Sequence, residues 1–92
     1  MERARVFLKI YGQVQGVSFR YYAQNIARKL KLRGWAKNEI DGTVIIEAEG
    51  KVEKLKELIK WCHNGPALAA VEKVDVQWKE FKGDLGKFEV QF

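Results

Sequence analysis

The stretch VFLKIYGQVQGVSFRYYAQNIARKL, from Val6 to Leu30, decides the fold because a strand, a glycine loop and a helix follow one another directly. Its first six residues, up to Tyr11, are mostly β-branched or aromatic, which is typical of a strand. After the loop, apolar residues recur at intervals of three and four, as on one face of a helix. These residues are Phe19, Tyr22, Ala23, Ile26, Ala27 and Leu30. The chain therefore opens with a strand-loop-helix unit, whose helix Ser18 is expected to cap.

The remaining sequence alternates strand and helix signals in the same way. Alternating or β-branched runs indicate strands, Asp41-Gly42 indicates a hairpin, and Asn64-Gly65-Pro66 ends an amphipathic helix. The predicted elements are strands over 34–38 and 43–49, a helix over 52–62, and strands over 71–79 and 88–92. This order predicts an α+β, ferredoxin-like split βαβ sandwich, with two helices on one face of an antiparallel sheet of four to five strands. Neither a repeat nor a linker interrupts residues 1–92, so they are predicted to form a single domain.

The composition is typical of a small, ordered domain. The 92 residues are 47% hydrophobic and 32% charged, with one Pro, and they suffice for one core. The N-terminal residues lack the features of a secretory signal, and no apolar run is long enough to span a membrane. A single cysteine forms no internal disulfide, so we expect a reducing, cytoplasmic setting. The net charge of +5 favours anionic partners, either nucleic acid or small phosphorylated molecules.

The glycine loop has the features of a phosphate-binding site. Gly12 and Gly16 allow a tight turn with positive φ and a close approach of a ligand. The free N–H groups at the start of the following helix attract anions, and the helix dipole adds to this attraction. Arg20 lies in the first turn, where its planar guanidinium can bind phosphoryl oxygens. The alternatives are that Arg20 is a solvated helix residue and that the glycines serve only the turn.

Two motifs in this chain resemble the signatures of the acylphosphatase family. The first is Gly12-Gln13-Val14-Gln15-Gly16-Val17-Ser18-Phe19-Arg20, and the second is Gly34-Trp35-Ala36-Lys37-Asn38, followed by Asp41-Gly42-Thr43-Val44. Gly65-Pro66 and residues 88–92 also fit the family pattern, so the similarity covers essentially the whole chain. Ala36 stands where valine is common, and Ser18 occupies a variable position. Neither departure touches the chemistry that the family performs.

The resemblance implies that the protein hydrolyses the carboxyl-phosphate bond of acyl phosphates to a carboxylate and inorganic phosphate. In this family the arginine that closes the first motif, here Arg20, binds the phosphoryl group. The asparagine that closes the second motif, here Asn38, positions the attacking water. The expected phosphate-binding residues are Gln15, Gly16, Val17, Ser18, Phe19 and Arg20. We therefore expect a small acyl phosphate as substrate, inorganic phosphate as product and inhibitor, and neither a nucleic acid nor a membrane as partner.

This chemistry agrees with the residue types. An acyl phosphate carries a good leaving group, so the reaction mainly needs charge neutralisation and an aligned water. Arg20 supplies the charge, and Asn38 offers both a donor and an acceptor to water. The chain has one His, one Cys and no clustered carboxylates, so we expect no cofactor, no metal and no nucleophile pair. The alternative for Asn38 is a plain turn residue, and for Ser18 the expected cap has a catalytic nucleophile as its alternative.

Other functions share this architecture. The basic charge favours an RNA-binding domain, but such domains need exposed aromatics on central strands, and residues 43–49 include none. A metallochaperone needs a Cys-x-x-Cys motif, which is absent, and only the fold suggests a ligand-sensing domain. A domain of a larger carbamoyl-transfer maturation protein shares both motifs, although the limits of the chain favour a free-standing enzyme. The residues expected to pack in the core or sheet include Phe7, Trp35, Cys62, Trp78, Phe88 and Phe92.

Overall fold

The computed structural model describes residues 2–92 and contains the predicted succession of elements. The elements are β1 (Arg3–Gln13), α1 (Phe19–Lys29), β2 (Arg33–Asn38), β3 (Val44–Lys51), α2 (Val52–Asn64), β4 (Ala70–Lys79) and β5 (Glu89–Gln91). β1 extends beyond its predicted range at both ends, because pairing with β3 and β4 continues past the apolar run. Within residues 2–92, no helix combines the length and the apolar character needed to cross a membrane.

The five strands form one sheet in the order β4-β1-β3-β2-β5, and both helices pack on it. This arrangement confirms the predicted ferredoxin-like sandwich. β1 to β4 pair antiparallel, but β5 lies parallel to β2, so the complete sheet is mixed. The reason is that the last residue of β4 lies at the same end of the sheet as the first residues of β1 and β2. Residues 80–88 cross this end of the sheet, and β5 then runs in the same direction as β2.

The core lies between the sheet and the helices. Alternate residues of β1, namely Val6, Leu8 and Ile10, are fully buried in it. The buried helical residues are Phe19, Ala23 and Ala27 from α1, and Leu55, Leu58 and Cys62 from α2. Burial raises the pKa of the Cys62 thiol, so Cys62 is a protonated core residue, as predicted.

Four expectations about individual side chains are wrong. Tyr22 is 52% exposed, Trp78 is 45% exposed and Phe92 is 86% exposed, whereas Phe88 is buried as expected. Trp78 lies on β4, an edge strand with a neighbour on one side only, and Phe92 follows the last residue of β5. Ser18 occupies the N-cap position of α1 without a side-chain capping hydrogen bond. Its φ of 62° is left-handed, whereas a capping side chain needs an extended backbone.

Gly12 serves the packing of β1 against β4. It lies at a register shift between these strands and has a φ of +122°. A Cβ atom at this position would lie 2.1 Å from the carbonyl oxygen of Ala70, which is a backbone atom. The glycine therefore permits the two backbones to approach closely at the end of β1.

Replacing Gly12 by alanine is expected to destabilise the fold by about 3 kcal/mol or more, because the strained φ and the backbone clash add together. Gly86→Ala is the matched control, since a Cβ at Gly86 would meet no atom within 4 Å. Urea unfolding of both variants measures the difference. Equal unfolding midpoints for the two variants would contradict this role of Gly12.

Candidate active site

The end of β1, the start of α1 and the end of β2 enclose a cavity of about 250 Å³. The residues that line it are Val14, Gly16, Ser18, Phe19, Arg20, Tyr21 and Asn38. The structure thus brings Arg20 and Asn38, which the two sequence motifs single out, to the same cavity. Of the other predicted phosphate-binding residues, Gly16, Ser18 and Phe19 line the cavity, whereas Gln15 and Val17 lie in the same loop outside this lining.

The loop between β1 and α1 contains left-handed residues. Gly16 and Ser18, on either side of Val17, both have left-handed φ angles, of 76° and 62°. Turns that combine right- and left-handed residues direct neighbouring N–H groups toward one concave side. A Cβ atom on Gly16 would meet no atom within 4 Å, so this position is open, in contrast to the tightly packed Gly12.

The start of α1 adds a positive field to the cavity. The first N–H groups of a helix have no partner within it, and the first turn of α1 contains no acidic residue. Arg20 places a full positive charge at the positive end of the helix dipole, where a cation is unfavourable by about 0.3–1 kcal/mol. An anion in the cavity removes this conflict. The arrangement is therefore suited to a strongly charged anion.

The Arg20 side chain is held by β5 and the residue that follows it. Its Nη1 donates a hydrogen bond to the carbonyl oxygen of Gln91 at 2.7 Å. Its guanidinium lies 4.8 Å from the centre of the Phe92 ring. These contacts fix the plane of the guanidinium and leave most of its five N–H donors for a ligand. Sequence reasoning missed them, because an aromatic residue that alternates along a strand was expected in the core.

Gln15 connects the loop to the hairpin that follows Asn38. Its Nε2 donates to the carbonyl oxygen of Glu39 at 2.7 Å and to that of Thr43 at 2.9 Å. The same two residues close the hairpin, where the Glu39 N–H donates to the Thr43 carbonyl oxygen at 2.8 Å. The Gln15 side chain thus fixes the loop relative to the end of β2, and its backbone N–H stays a candidate for the phosphate site.

Asp41 stabilises the tip of the same hairpin. Its carboxylate accepts hydrogen bonds from the Thr43 hydroxyl at 2.6 Å and the Thr43 N–H at 3.0 Å, and pairs with Lys9 at 3.1 Å. The bonds from Thr43, and then the contact with Lys9, lower the pKa of Asp41 to about 2. This contact raises the pKa of Lys9. Because the pKa of the Asp41 carboxyl is lower in the folded protein, the ionised carboxylate stabilises the fold fully above about pH 4. This contribution is lost as the pH falls towards 2.

The cavity offers no partner that could activate a nucleophile. Among the residues that the structure describes, neither a His nor a carboxylate lines it, so the Ser18 hydroxyl has no adjacent base. Nowhere in residues 2–92 are three His, Cys, Asp or Glu side chains grouped closely enough to hold a metal ion. The polar side chains in its lining are those of Ser18, Arg20, Tyr21 and Asn38.

Comparison with known proteins assigns the family. The family model described as acylphosphatase matches residues 6–90. The chain belongs to the acylphosphatase family. An acylphosphatase of Anaeromyxobacter sp. (strain Fw109-5) is 48% identical over 90 residues, which cover 98% of this chain and 97% of that relative. The resemblance that the two motifs indicated is confirmed over the whole chain.

Solved structures share the acylphosphatase fold. The crystal structure of acylphosphatase from Bacillus subtilis matches with a TM-score of 0.93 and 34% identity, covering 97% of this chain and 99% of that one. Full-length HypF, crystallised in a phosphate- and nucleotide-bound form, matches with a TM-score of 0.85 and 26% identity, covering 99% of this chain and 12% of that one. The predicted class of enzyme, a hydrolase acting on acid anhydrides, is confirmed by the family.

Replacing Gln15 by alanine is expected to loosen the hairpin between β2 and β3, because two hydrogen bonds worth about 1 kcal/mol each are lost. The Glu39 and Gly42 N–H groups, which close the hairpin, should then exchange with solvent about tenfold faster or more. Gln13→Ala is the matched control, since Gln13 is an exposed glutamine at the end of β1. Hydrogen exchange followed by NMR gives the rates. Unchanged protection of both N–H groups in Gln15→Ala would show that Gln15 does not hold the hairpin.

Proposed function

We propose that this acylphosphatase hydrolyses acyl phosphates by direct attack of water on a phosphoryl group held by Arg20 and by backbone N–H groups of residues 15–19. The observation that best supports the proposal is that Arg20 and Asn38 line one cavity. The start of α1 and a loop with two left-handed residues, Gly16 and Ser18, line the same cavity. The mechanism then has three parts: binding of the phosphoryl group, alignment of the water and departure of the carboxylate.

Binding of the phosphoryl group falls to the loop and to Arg20. Charge on the phosphoryl oxygens is neutralised by the guanidinium and by backbone N–H groups, which are already oriented before the substrate arrives. Because the hydrogen bond to Gln91 and the Phe92 ring hold the Arg20 side chain, little side-chain entropy is lost on binding. A planar guanidinium also matches two phosphoryl oxygens at once, which an ammonium group does not.

Alignment of the water falls to Asn38. Its carboxamide has an acceptor oxygen and two N–H donors, so it can hold a water in a fixed orientation without removing its proton. Asn38 is the last residue of β2, and the bonds from Gln15 hold the hairpin that begins there. Positioning of this kind converts the encounter with water into an intramolecular event, which is a large part of the catalytic advantage.

The bonds and protons of the reaction balance without a general base from the protein. The water oxygen bonds to phosphorus as the bond between phosphorus and the acyl oxygen breaks. The electron pair leaves with the carboxylate, which is a stable anion and needs no protonation. The water proton passes to a phosphoryl oxygen of the substrate. The products are a carboxylate and dihydrogen phosphate, which then exchanges its proton with the solvent.

The proposed substrate is a small acyl phosphate, and the groups that we assign to binding all address its phosphoryl end. Several acyl phosphates, and carbamoyl phosphate among them, therefore satisfy the site. Inorganic phosphate is expected to compete with the substrate, since it presents the same oxygens to the loop. The mechanism uses neither a metal nor a cofactor, and a single buried cysteine is in keeping with a cytoplasmic location.

The first test of the mechanism is Arg20→Lys, assayed with benzoyl phosphate in the presence of a chelator. The substitution keeps the charge but removes the planar pair of donors, so kcat/KM should fall about a hundredfold or more, through both binding and turnover. Lys29→Arg, the reverse exchange at an exposed residue in the last turn of the same helix, is the control. Wild-type kinetics in Arg20→Lys would exclude the proposed phosphoryl contact.

The second test is Asn38→Ala in the same assay. Loss of the water-positioning amide should lower kcat about a hundredfold or more with a smaller change in KM, because the phosphoryl contacts remain. Asn25→Ala, an exposed asparagine on α1, controls for the loss of an amide elsewhere. A change confined to KM would move Asn38 from the attack on phosphorus to substrate binding.

A further inference from the structure

A second polar cavity, of about 110 Å³, lies at the opposite end of the sheet from the active site. The residues that line it are Arg3, Lys31, Arg33, Glu49, Gly50, Phe81 and Gly83. Arg33 begins β2, whereas Asn38 ends it, so the two cavities are separated by about 17 Å along that strand. None of the residues assigned to acyl phosphate hydrolysis lines the second cavity. It is therefore a separate feature of the fold.

Glu49 provides a buried acceptor at this second cavity. The residue is only 2% exposed. Its Oε2 accepts hydrogen bonds from the Lys82 N–H at 2.6 Å and the Gly83 N–H at 3.1 Å. Its Oε1 is equally enclosed, yet no donor within residues 2–92 reaches it. Leaving such an acceptor unsatisfied costs about 1–3 kcal/mol, and more for a charged group, so Oε1 is suited to a hydrogen-bond donor carried by a ligand.

Three cations surround the same cavity. Arg3, Lys31 and Arg33 are exposed at its rim, and none of them forms an ion pair with the part of the chain that the structure describes. The guanidinium of Arg3 lies 5.9 Å from the centre of the Phe81 ring, which holds it beside the opening. Three unpaired cations around one opening attract an anion. The lining thus combines three unpaired cations with a carboxylate that has one unsatisfied oxygen.

We propose that this cavity binds hydrogen phosphate, an oxyanion that suits both features of the lining. Its unprotonated oxygens accept hydrogen bonds from Arg3, Lys31 and Arg33, and its P–OH group donates to Glu49 Oε1. Sulfate has the same tetrahedral shape but carries no proton at neutral pH, so two acceptors would face each other at Glu49. The volume of about 110 Å³ equals that of about four water molecules in the liquid, which suits one small tetrahedral anion. The site therefore distinguishes phosphate from sulfate.

This proposal does not depend on the proposed hydrolysis, and the test separates the two. Backbone N–H signals are followed by NMR while phosphate or sulfate is added at matched ionic strength to the Arg20→Ala variant, in which the catalytic anion site is weakened. Phosphate should shift the Gly50 and Gly83 signals saturably, and sulfate should bind at least tenfold more weakly. Equal shifts with both anions, or saturable shifts with neither, would overturn the proposal. Activity is not part of this measurement.

Two substitutions identify the groups responsible. Arg33→Gln removes one of the three cations and should weaken phosphate binding at least tenfold, while Lys56→Gln, an equal change of charge on the exposed face of α2, should not. Glu49→Gln keeps an oxygen for the Lys82 and Gly83 N–H groups and presents an N–H₂ donor to the cavity. It should lose the preference for phosphate over sulfate. If Glu49→Gln does not fold, Arg33→Gln decides alone, and unchanged binding in that variant would refute the site.

Discussion

β1 pairs with two strands, β3 and β4, and the unequal lengths of these pairings determine where the loop after β1 lies. β1 pairs with β3 from Arg3↔Lys51 to Ile10↔Val44, but its pairing with β4 continues to Gln13↔Ala70. The register shift after Tyr11 allows the last residues of β1 to follow β4 beyond Val44, the first residue of β3. The chain then turns across the start of β3 into α1, so the loop comes to lie beside the hairpin that joins β2 to β3. This difference in pairing length helps to form the candidate active-site cavity.

A network of charged residues connects β1 and β3 to the segment that leads into β5. Arg5 donates to Glu47 at 2.6 Å and to Asp84 at 2.8 Å, and the bond to Glu47 is the largest cause of its raised pKa. Glu49 holds the N–H groups of Lys82 and Gly83. Asp84 is exposed, whereas Glu49 is buried, so the buried side-chain contact between β3 and residues 80–88 is the one that Glu49 makes with these two N–H groups. These residues lead into β5, which pairs with β2. The carbonyl oxygen of Gln91 in β5 then accepts the hydrogen bond that holds Arg20.

The sequence predicted most of the fold, and it singled out two side chains that the structure brings to one cavity, because both depend on local patterns. Apolar periodicity marked every element, and the two motifs marked Arg20 and Asn38. The parallel direction of β5 was not predictable, since it depends on where β4 ends and not on residues within β5. The exposure of Phe92 and its stacking on Arg20 were missed for a related reason. A period of two shows that one face of a strand is apolar, but it does not show whether another element covers that face at the end of the strand.

The two groups that we assign to the chemistry both depend on supports from distant parts of the chain. An arginine in the first turn of a helix faces an unfavourable dipole and retains a long, mobile side chain. Gln91 and Phe92 remove that mobility, and they do so without occupying most of the guanidinium donors. Asn38 is likewise fixed through a hairpin that Gln15 holds from the loop itself. Gln15 belongs to the loop whose backbone we assign to the phosphoryl group, so one side chain links that loop to the hairpin that follows Asn38. A site built in this way gains its precision from backbone carbonyls, which a change of side chain elsewhere does not remove.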